Sequence, residues 1–360
     1  MLGARRRIAL LAEGHFAPMD AKTAVGVLRY RPDEVVCVID STRAGRTAAE
    51  CVGVGGDRPV VADVESAAAR GADTLLVGIA PQGGGLPDDW RSPIASALAR
   101  GWDVLAGLHA FLGDDPEFAA LAAANGARIL DVRRPPARRP IAARRATRCG
   151  ALVVLTVGSD CNVGKMTAAL EVQAELRRRG VRAAFVATGQ TGIFVADEGV
   201  AVDAVVSDFV AGVTEDLVLA AARDADVVLV EGQGTLFHPG YSGVSLALLH
   251  GACPEALILC HEAGRTLLRA ADDAEPLPIR PLAELVAEHE RVAGWMRPAR
   301  VLGVALNTRA LAEDEARRAV AGAGRATSLP ATDPVRFGAA PLADAVRRAL
   351  EERAIRAPGR

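Results

Sequence analysis

The stretch GSDCNVGKMT, residues 158–167, has the composition of a phosphate-binding loop. Gly158 and Gly164 bracket Ser159, Asp160, Cys161, Asn162 and Val163, and Lys165 follows. Successive main-chain N–H groups in such a turn, with a helix start behind them, surround phosphate oxygens, and the lysine neutralises the outer phosphates. The common pattern puts Ser or Thr directly after the lysine, where its hydroxyl binds magnesium. This chain has Met166 there and Thr167 one place later, and its loop is one residue longer than usual. Thr167, Asp160 and Glu231 offer the oxygen ligands that a magnesium nucleotide such as ATP requires. Coenzyme A, with an adenosine and a pyrophosphate but no phosphate to transfer, would need no metal between outer phosphates. The residues alone leave both open.

A second reactive stretch is EGQGTLFHPGYSGVS, residues 231–245, which gathers Glu231, Gln233, His238, Tyr241 and Ser242 after an apolar run. These types suit acyl transfer to an amine. The amine must lose a proton, for which Glu231, His238 or His261 could serve, and Tyr241 or nearby N–H groups could stabilise the oxyanion. HEAGR, residues 261–265, adds Arg265, able to grip a carboxylate bidentately. Gln190, Gln233, Ser242, Arg265 and Lys22 are the substrate-side candidates. In the first half, Glu13, His15, Lys22 and Tyr30 fall near one strand end, and PQGGGLPDDW and GLHAFLGDDP bring Asp88, Asp89 and His109 into loops.

Two of these positions stand out by composition. The chain has 42 Lys and Arg in all, of which only Lys22 and Lys165 are lysine. Where arginine supplies nearly all positive charge, a retained lysine marks a place for a compact, flexible ammonium. Asn307 is one of only three asparagines.

The elements that must carry these residues alternate. Ile8 to Ala12, Val35 to Asp40, Leu75 to Ile79 and Val104 to Leu108 are short apolar runs separated by helix-like stretches, as in a parallel sheet covered by helices. The run 131–150 is dense in Arg and Pro and reads as a solvated linker. The alternation then restarts with Leu152 to Val157, a helix from Lys165 to Arg179, Ala183 to Ala187, Val227 to Val230, Ala256 to Cys260 and Val301 to Leu306. Two α/β domains follow, 1–140 and 141–360. Glu231 and Asn307 then fall at strand ends, where α/β sheets hold ligands.

A net charge of −2 gives no general attraction to nucleic acid or to an anionic membrane. No run is long enough to span a bilayer, and the six cysteines show no C-x-x-C spacing. The expectation is a cytoplasmic soluble protein with no nucleic-acid or membrane partner, and a homo-oligomer.

The loop is similar to the G-T-D-T-x-V-G-K-T loop of dethiobiotin synthetase and its relatives, which activate carboxylates with ATP. That likeness places Glu231 of VVLVEGQG at the corresponding Glu-Gly and Asn307 of VLGVALNTR near an adenine. The guanine-specific N-K-x-D pattern is absent, since Thr308 and Ala310 occupy its Lys and Asp places.

A broader resemblance runs nearly end to end. AEGHFAPMDAKTAVGVLRY, VGIAPQGGGLPDDW, GLHAFLGDDPEF, GSDCNVGKMT, VEGQGTLFHPGYSGVSLALLHG and LCHEAGRT together resemble the D-glutamate N-acetyltransferase (DgcN-like) family. One departure is that HEAGR stands where His-Glu-Pro-Thr-Arg is expected. The resemblance implies a Rossmann-like N-terminal domain and a P-loop NTPase-like parallel-sheet domain, with acetyl passing from acetyl-CoA to the amino group of D-glutamate. An ATP-dependent carboxylate–amine ligase and a nucleotide-binding regulatory switch are the alternatives. The cluster of Glu, His and Tyr beyond the loop speaks against the switch.

Overall fold

The computed structural model describes residues 6–18, 20–79, 85–269 and 275–356, so Pro81 to Gly84 of PQGGGLPDDW lie outside the described residues. The chain divides into two compact units, residues 1–135 with 189–204, and residues 136–188 with 205–360. Both are parallel α/β sheets, as the alternation requires.

In the first unit, strands β1 (Ile8–Leu11), β2 (Val35–Ile39), β3 (Val60–Val61), β4 (Thr74–Val77), β5 (Asp103–Ala106) and β6 (Ile129–Asp131) form a sheet ordered β3-β2-β1-β4-β5-β6. This is the Rossmann order. β1 is buried throughout, as expected of a central strand covered on both faces. Helices Lys22–Tyr30 and Arg91–Ala99 follow β1 and β4, and Trp90 and Phe118 are among the largest side chains closed into the core.

Asp40, directly after β2, is fully buried. In dinucleotide-binding folds an acid near this place accepts from a ribose hydroxyl. Here Asp40 accepts instead from the N–H groups of Gly14 at 3.3 Å, Phe16 at 3.1 Å and Thr42 at 3.0 Å, and from the Thr42 hydroxyl at 2.6 Å. The turn after β1 thus directs two of its donors onto its own chain.

The stretch 189–204, which the sequence reading assigned to the second domain, belongs to the first unit. Its helix Gln190–Ala196 is held by a 3.0 Å bond between the Thr23 and Thr191 hydroxyls and by ion pairing of Asp197 with Arg31. Buried Arg133 pairs with Asp203 and donates to Gln190 Oε1 at 2.8 Å.

The second unit holds β7 (Leu152–Gly158), β8 (Ala183–Val186), β9 (Val227–Val230), β10 (Ala256–Glu262), β11 (Arg300–Asn307) and β12 (Ala331–Thr332), ordered β12-β11-β10-β7-β9-β8. β7, buried at every residue, is central. Among the described residues no helix is long and apolar enough to cross a membrane.

The Arg- and Pro-rich run is not a free solvated coil along its second half. Fully buried Glu215, on helix Ser207–Ala221, accepts from Ala143 N at 3.2 Å and from Arg145 Nε at 2.7 Å. Gly212, one turn earlier, lets the run approach so closely that a Cβ there would lie 1.9 Å from the Pro140 carbonyl oxygen. The linker reading weighed the charge of the arginines and missed the buried carboxylate that receives one of them.

His289, on helix Leu282–Ala293, is buried, and its Nδ1–H donates to Leu285 O at 2.7 Å. Burial pushes its pKa down to about 4 from the usual 6.5. The unfolded chain therefore takes up a proton that the folded one refuses as pH falls from 6.5 towards 4, and stability falls with it. Between pH 7 and pH 5 this group is expected to remove about 2 kcal/mol, read as a fall in the urea midpoint. A His289→Asn variant should lose that part of the pH dependence; an unchanged slope would refute the assignment.

Candidate active site at the P-loop

β7 ends at Gly158 and the helix Lys165–Arg178 begins seven residues later. Between them the chain turns through Asn162 and Gly164, at φ 61° and 103°. The second of these is a left-handed value that glycine adopts without strain. Among the described residues, the main-chain N–H groups of Asn162, Val163 and Gly164 have no hydrogen-bond partner. Lys165 is buried, with Nζ donating to Asp160 O at 2.7 Å. Burial lowers its pKa, while Cys161, Cys260, Asp160 and Glu231 act to raise it. The result is a turn of unused donors with one ammonium beneath it. Met166 and Thr167 lie on the first helical turn.

Asp160 is fully buried. Its Oδ2 accepts from Arg265 Nη1 at 2.9 Å and from Arg269 N at 2.8 Å, and its Oδ1 has no partner among the described residues. Arg265 also donates to Cys161 O at 2.8 Å and pairs with Glu262. The arginine expected to grip a substrate carboxylate is thus engaged in bracing the P-loop.

Glu231 follows β9 and is 5% exposed. Its Oε2 accepts from Thr188 N at 3.0 Å, and its carbonyl accepts from Thr188 Oγ1 at 2.7 Å. Gln233 Nε2 donates to the same Thr188 hydroxyl at 3.2 Å. Among the described residues no three His, Cys, Asp or Glu side chains stand together as a metal site. Of the oxygen donors suggested for magnesium, Asp160 faces Arg265 and Glu231 faces Thr188.

The three imidazole and phenol candidates separate. His238 is held at both ring nitrogens, Nδ1 accepting from Gly240 N at 3.0 Å and Nε2 donating to Arg269 O at 2.7 Å. It stacks on Tyr241, with ring centroids 4.4 Å apart, and Tyr241 is 50% exposed. Ser242 starts the next helix and donates its N–H to His238 O at 3.0 Å. These three organise a turn. His261, on β10, instead meets the P-loop itself, with Nδ1 2.8 Å from Ser159 Oγ.

Asn307 ends β11, and its Oδ1 accepts from Arg309 N at 3.3 Å. Next to it Thr308 donates N–H and hydroxyl to buried Asp333, at 2.9 and 2.6 Å. Gln190 and Lys22 belong to the first unit, where Gln190 Oε1 is taken by Arg133.

The family model described as the P-loop domain of DUF1611, a domain of unknown function, matches residues 140–343, and that of its Rossmann-like N-terminal domain matches residues 41–135. The chain belongs to the DUF1611 family. A D-glutamate N-acetyltransferase of Tritonibacter scottomollicae is 40% identical over 330 residues, 91% of this chain and 94% of the relative. One of a Pseudoalteromonas species is 33% identical over 272 residues, 76% and 80% of the two chains. The crystal structure of a DUF1611 family protein from Anabaena variabilis superposes with a TM-score of 0.90 at 40% identity, covering 95% of this chain and 99% of that one.

In this DUF1611 protein the sequence reading named the loop, Lys165, Glu231 and His261 as candidates and did not name Thr188, Thr156 or Asp333, which fasten the neighbouring strand ends. Thr156 Oγ1 accepts the Gly232 N–H at 2.9 Å, and so ties the Glu231 segment to β7. A threonine at a strand end carries no motif. Its partner is set only by which strands lie side by side.

If Lys165 neutralises phosphate charge, Lys165→Ala should raise the dissociation constant of the acyl donor about tenfold or more. Calorimetry with acetyl-CoA measures it, and an unchanged constant would remove the loop from donor binding.

Proposed function

We propose that this protein transfers the acetyl group of acetyl-CoA to the amino group of D-glutamate or a closely similar acidic amino acid. The observation that carries the reading is the phosphate cradle. Asn162, Val163 and Gly164 offer N–H groups that have no partner among the described residues, and buried Lys165 follows them, a donor set that fits a pyrophosphate. Met166, in place of the hydroxyl that serves magnesium, favours a diphosphate anchor over a transferable phosphate. The names of the two curated relatives support the same chemistry.

Acetyl-CoA supplies the acyl carbon as a thioester. Residues 158–165 bind its phosphates and fix it at the end of β7, and Glu231 receives the proton that leaves the acceptor's nitrogen. Glu231 suits that task by position, since Thr188 fixes its carboxylate at the end of the strand beside β7.

The deciding experiment incubates the protein with D- or L-glutamate and either acetyl-CoA or ATP with magnesium, following free thiol and ADP separately. Thiol release that requires D-glutamate and yields the N-acetyl product, and that persists in EDTA, is expected. ADP formation without thiol would replace this reading with an ATP-dependent amide ligase.

A further inference from the structure

The Cys161 carbonyl in the P-loop is held by a side chain from outside the loop. Arg265 Nη1 donates to Cys161 O at 2.8 Å and to Asp160 Oδ2 at 2.9 Å. The other end of the guanidinium pairs with Glu262, which Arg309 in turn reaches at 3.3 Å. Arg269 N adds a bond to Asp160 Oδ2 at 2.8 Å, so the segment after β10 grips the loop at two adjacent residues. A trans peptide is planar, and its C=O and N–H point in opposite directions. The plane whose carbonyl faces Arg265 carries the N–H of Asn162, which therefore points away from Arg265. That N–H has no partner among the described residues, and it is the first of the three that make up the cradle. Asn162 also takes a φ of 61°. Such a left-handed value costs free energy in a residue with a side chain and persists only where the surroundings fix it.

We infer that Arg265 is a positioning residue for the donor's phosphates. Through the Cys161 carbonyl it turns the Asn162 N–H towards the cradle and holds the left-handed turn before a ligand arrives. This role rests on the reading of residues 158–165 as the donor's phosphate site. The guanidinium itself is engaged by Asp160 and Glu262, so its effect on the donor passes through the loop backbone. Fully buried Asp160 is the second handle by which Arg265 holds the loop, which gives an acid a place inside an anion-binding turn. A loop already fixed in its binding form loses less freedom when the ligand docks, and affinity rises accordingly.

Calorimetry with coenzyme A tests the inference, together with the Cα and Cβ chemical shifts of Asn162 in ligand-free protein, which report its backbone angles. Arg265→Ala should raise the dissociation constant about tenfold and move the Asn162 shifts away from left-handed values. Glycine adopts this backbone without strain, so in an Asn162→Gly background the same substitution should cost about threefold or less. An unchanged dissociation constant, or a loss equally large in both backgrounds, would overturn the inference. So would weaker binding with the Asn162 shifts unmoved, because Arg265 would then act on the phosphates by its charge alone. Arg265→Ala leaves the Asp160 charge buried without its partner. Where that prevents folding, Asp160→Asn combined with Arg265→Ala removes both charges and is read in the same way. If the wild-type protein fails to bind coenzyme A, the donor reading falls and the affinity claim with it, while the shifts of wild type and variant still decide whether Arg265 sets the Asn162 backbone.

Discussion

Glu231→Gln is expected to lower turnover about a hundredfold or more while acetyl-CoA affinity stays within about twofold. The substitution separates placement from proton transfer. Glu231 is positioned by its own main chain, whose N–H donates to Val186 O at 3.0 Å and whose carbonyl accepts from Thr188. Its side chain accepts from the Thr188 N–H, a bond that a glutamine carbonyl can still provide. An amide cannot take up a proton from an ammonium. Initial rates at saturating donor and acceptor, with calorimetry for the donor, give the two numbers. If the variant turns over at the wild-type rate, Glu231 is not the proton acceptor. Recovery of a slow variant in excess magnesium would show a metal-binding role instead.

The largest stability effect is expected one residue further on, with Gly232→Ala costing about 4 kcal/mol or leaving too little folded protein to measure. A Cβ at Gly232 would lie 1.7 Å from the Thr156 carbonyl oxygen and 3.1 Å from Lys165 Cδ. The first of these is backbone of β7, the central strand, and cannot rotate away. Relief would require β7 and the Glu231 segment to separate, breaking the bond from Gly232 N to Thr156 Oγ1. Urea unfolding measures the loss. A midpoint within experimental error of wild type would mean that the two strands approach less closely than 1.7 Å implies. Gly164→Ala is the useful contrast, because nothing stands within 4 Å of its Cβ and only its φ of 103° opposes the change.

Most of the architecture was legible because it depends on local pattern. The buried strands that anchor each sheet announced themselves as apolar runs, since a strand covered on both faces tolerates little else. β3, β6 and β12 were not found. They have only two or three residues, so they give no period to read, and pairing at a sheet edge defines them. The affiliation of residues 189–204 was also hidden, because the apolar face of the helix Gln190–Ala196 would suit either sheet. The contacts of Thr23, Arg31 and Arg133 decide it.

The site divides in the same way. The phosphate loop was readable because its chemistry is mostly backbone, and glycine spacing with one lysine is enough to specify backbone. The roles of side chains were not readable, because each depends on the neighbour that tertiary structure supplies. Arg265 looked like a carboxylate clamp and is a brace for Asp160. His238 looked like a base and has both nitrogens engaged by main chain. His261 looked like one of two candidate histidines until the register of β10 against β7 placed it beside Ser159. Sequence by itself therefore determined where the P-loop turn and its lysine stand. Only the packing of strands separated by about a hundred residues decided which charged and polar groups remain available for chemistry, because a side chain's hydrogen-bonding capacity is finite and its partners are brought to it by the fold.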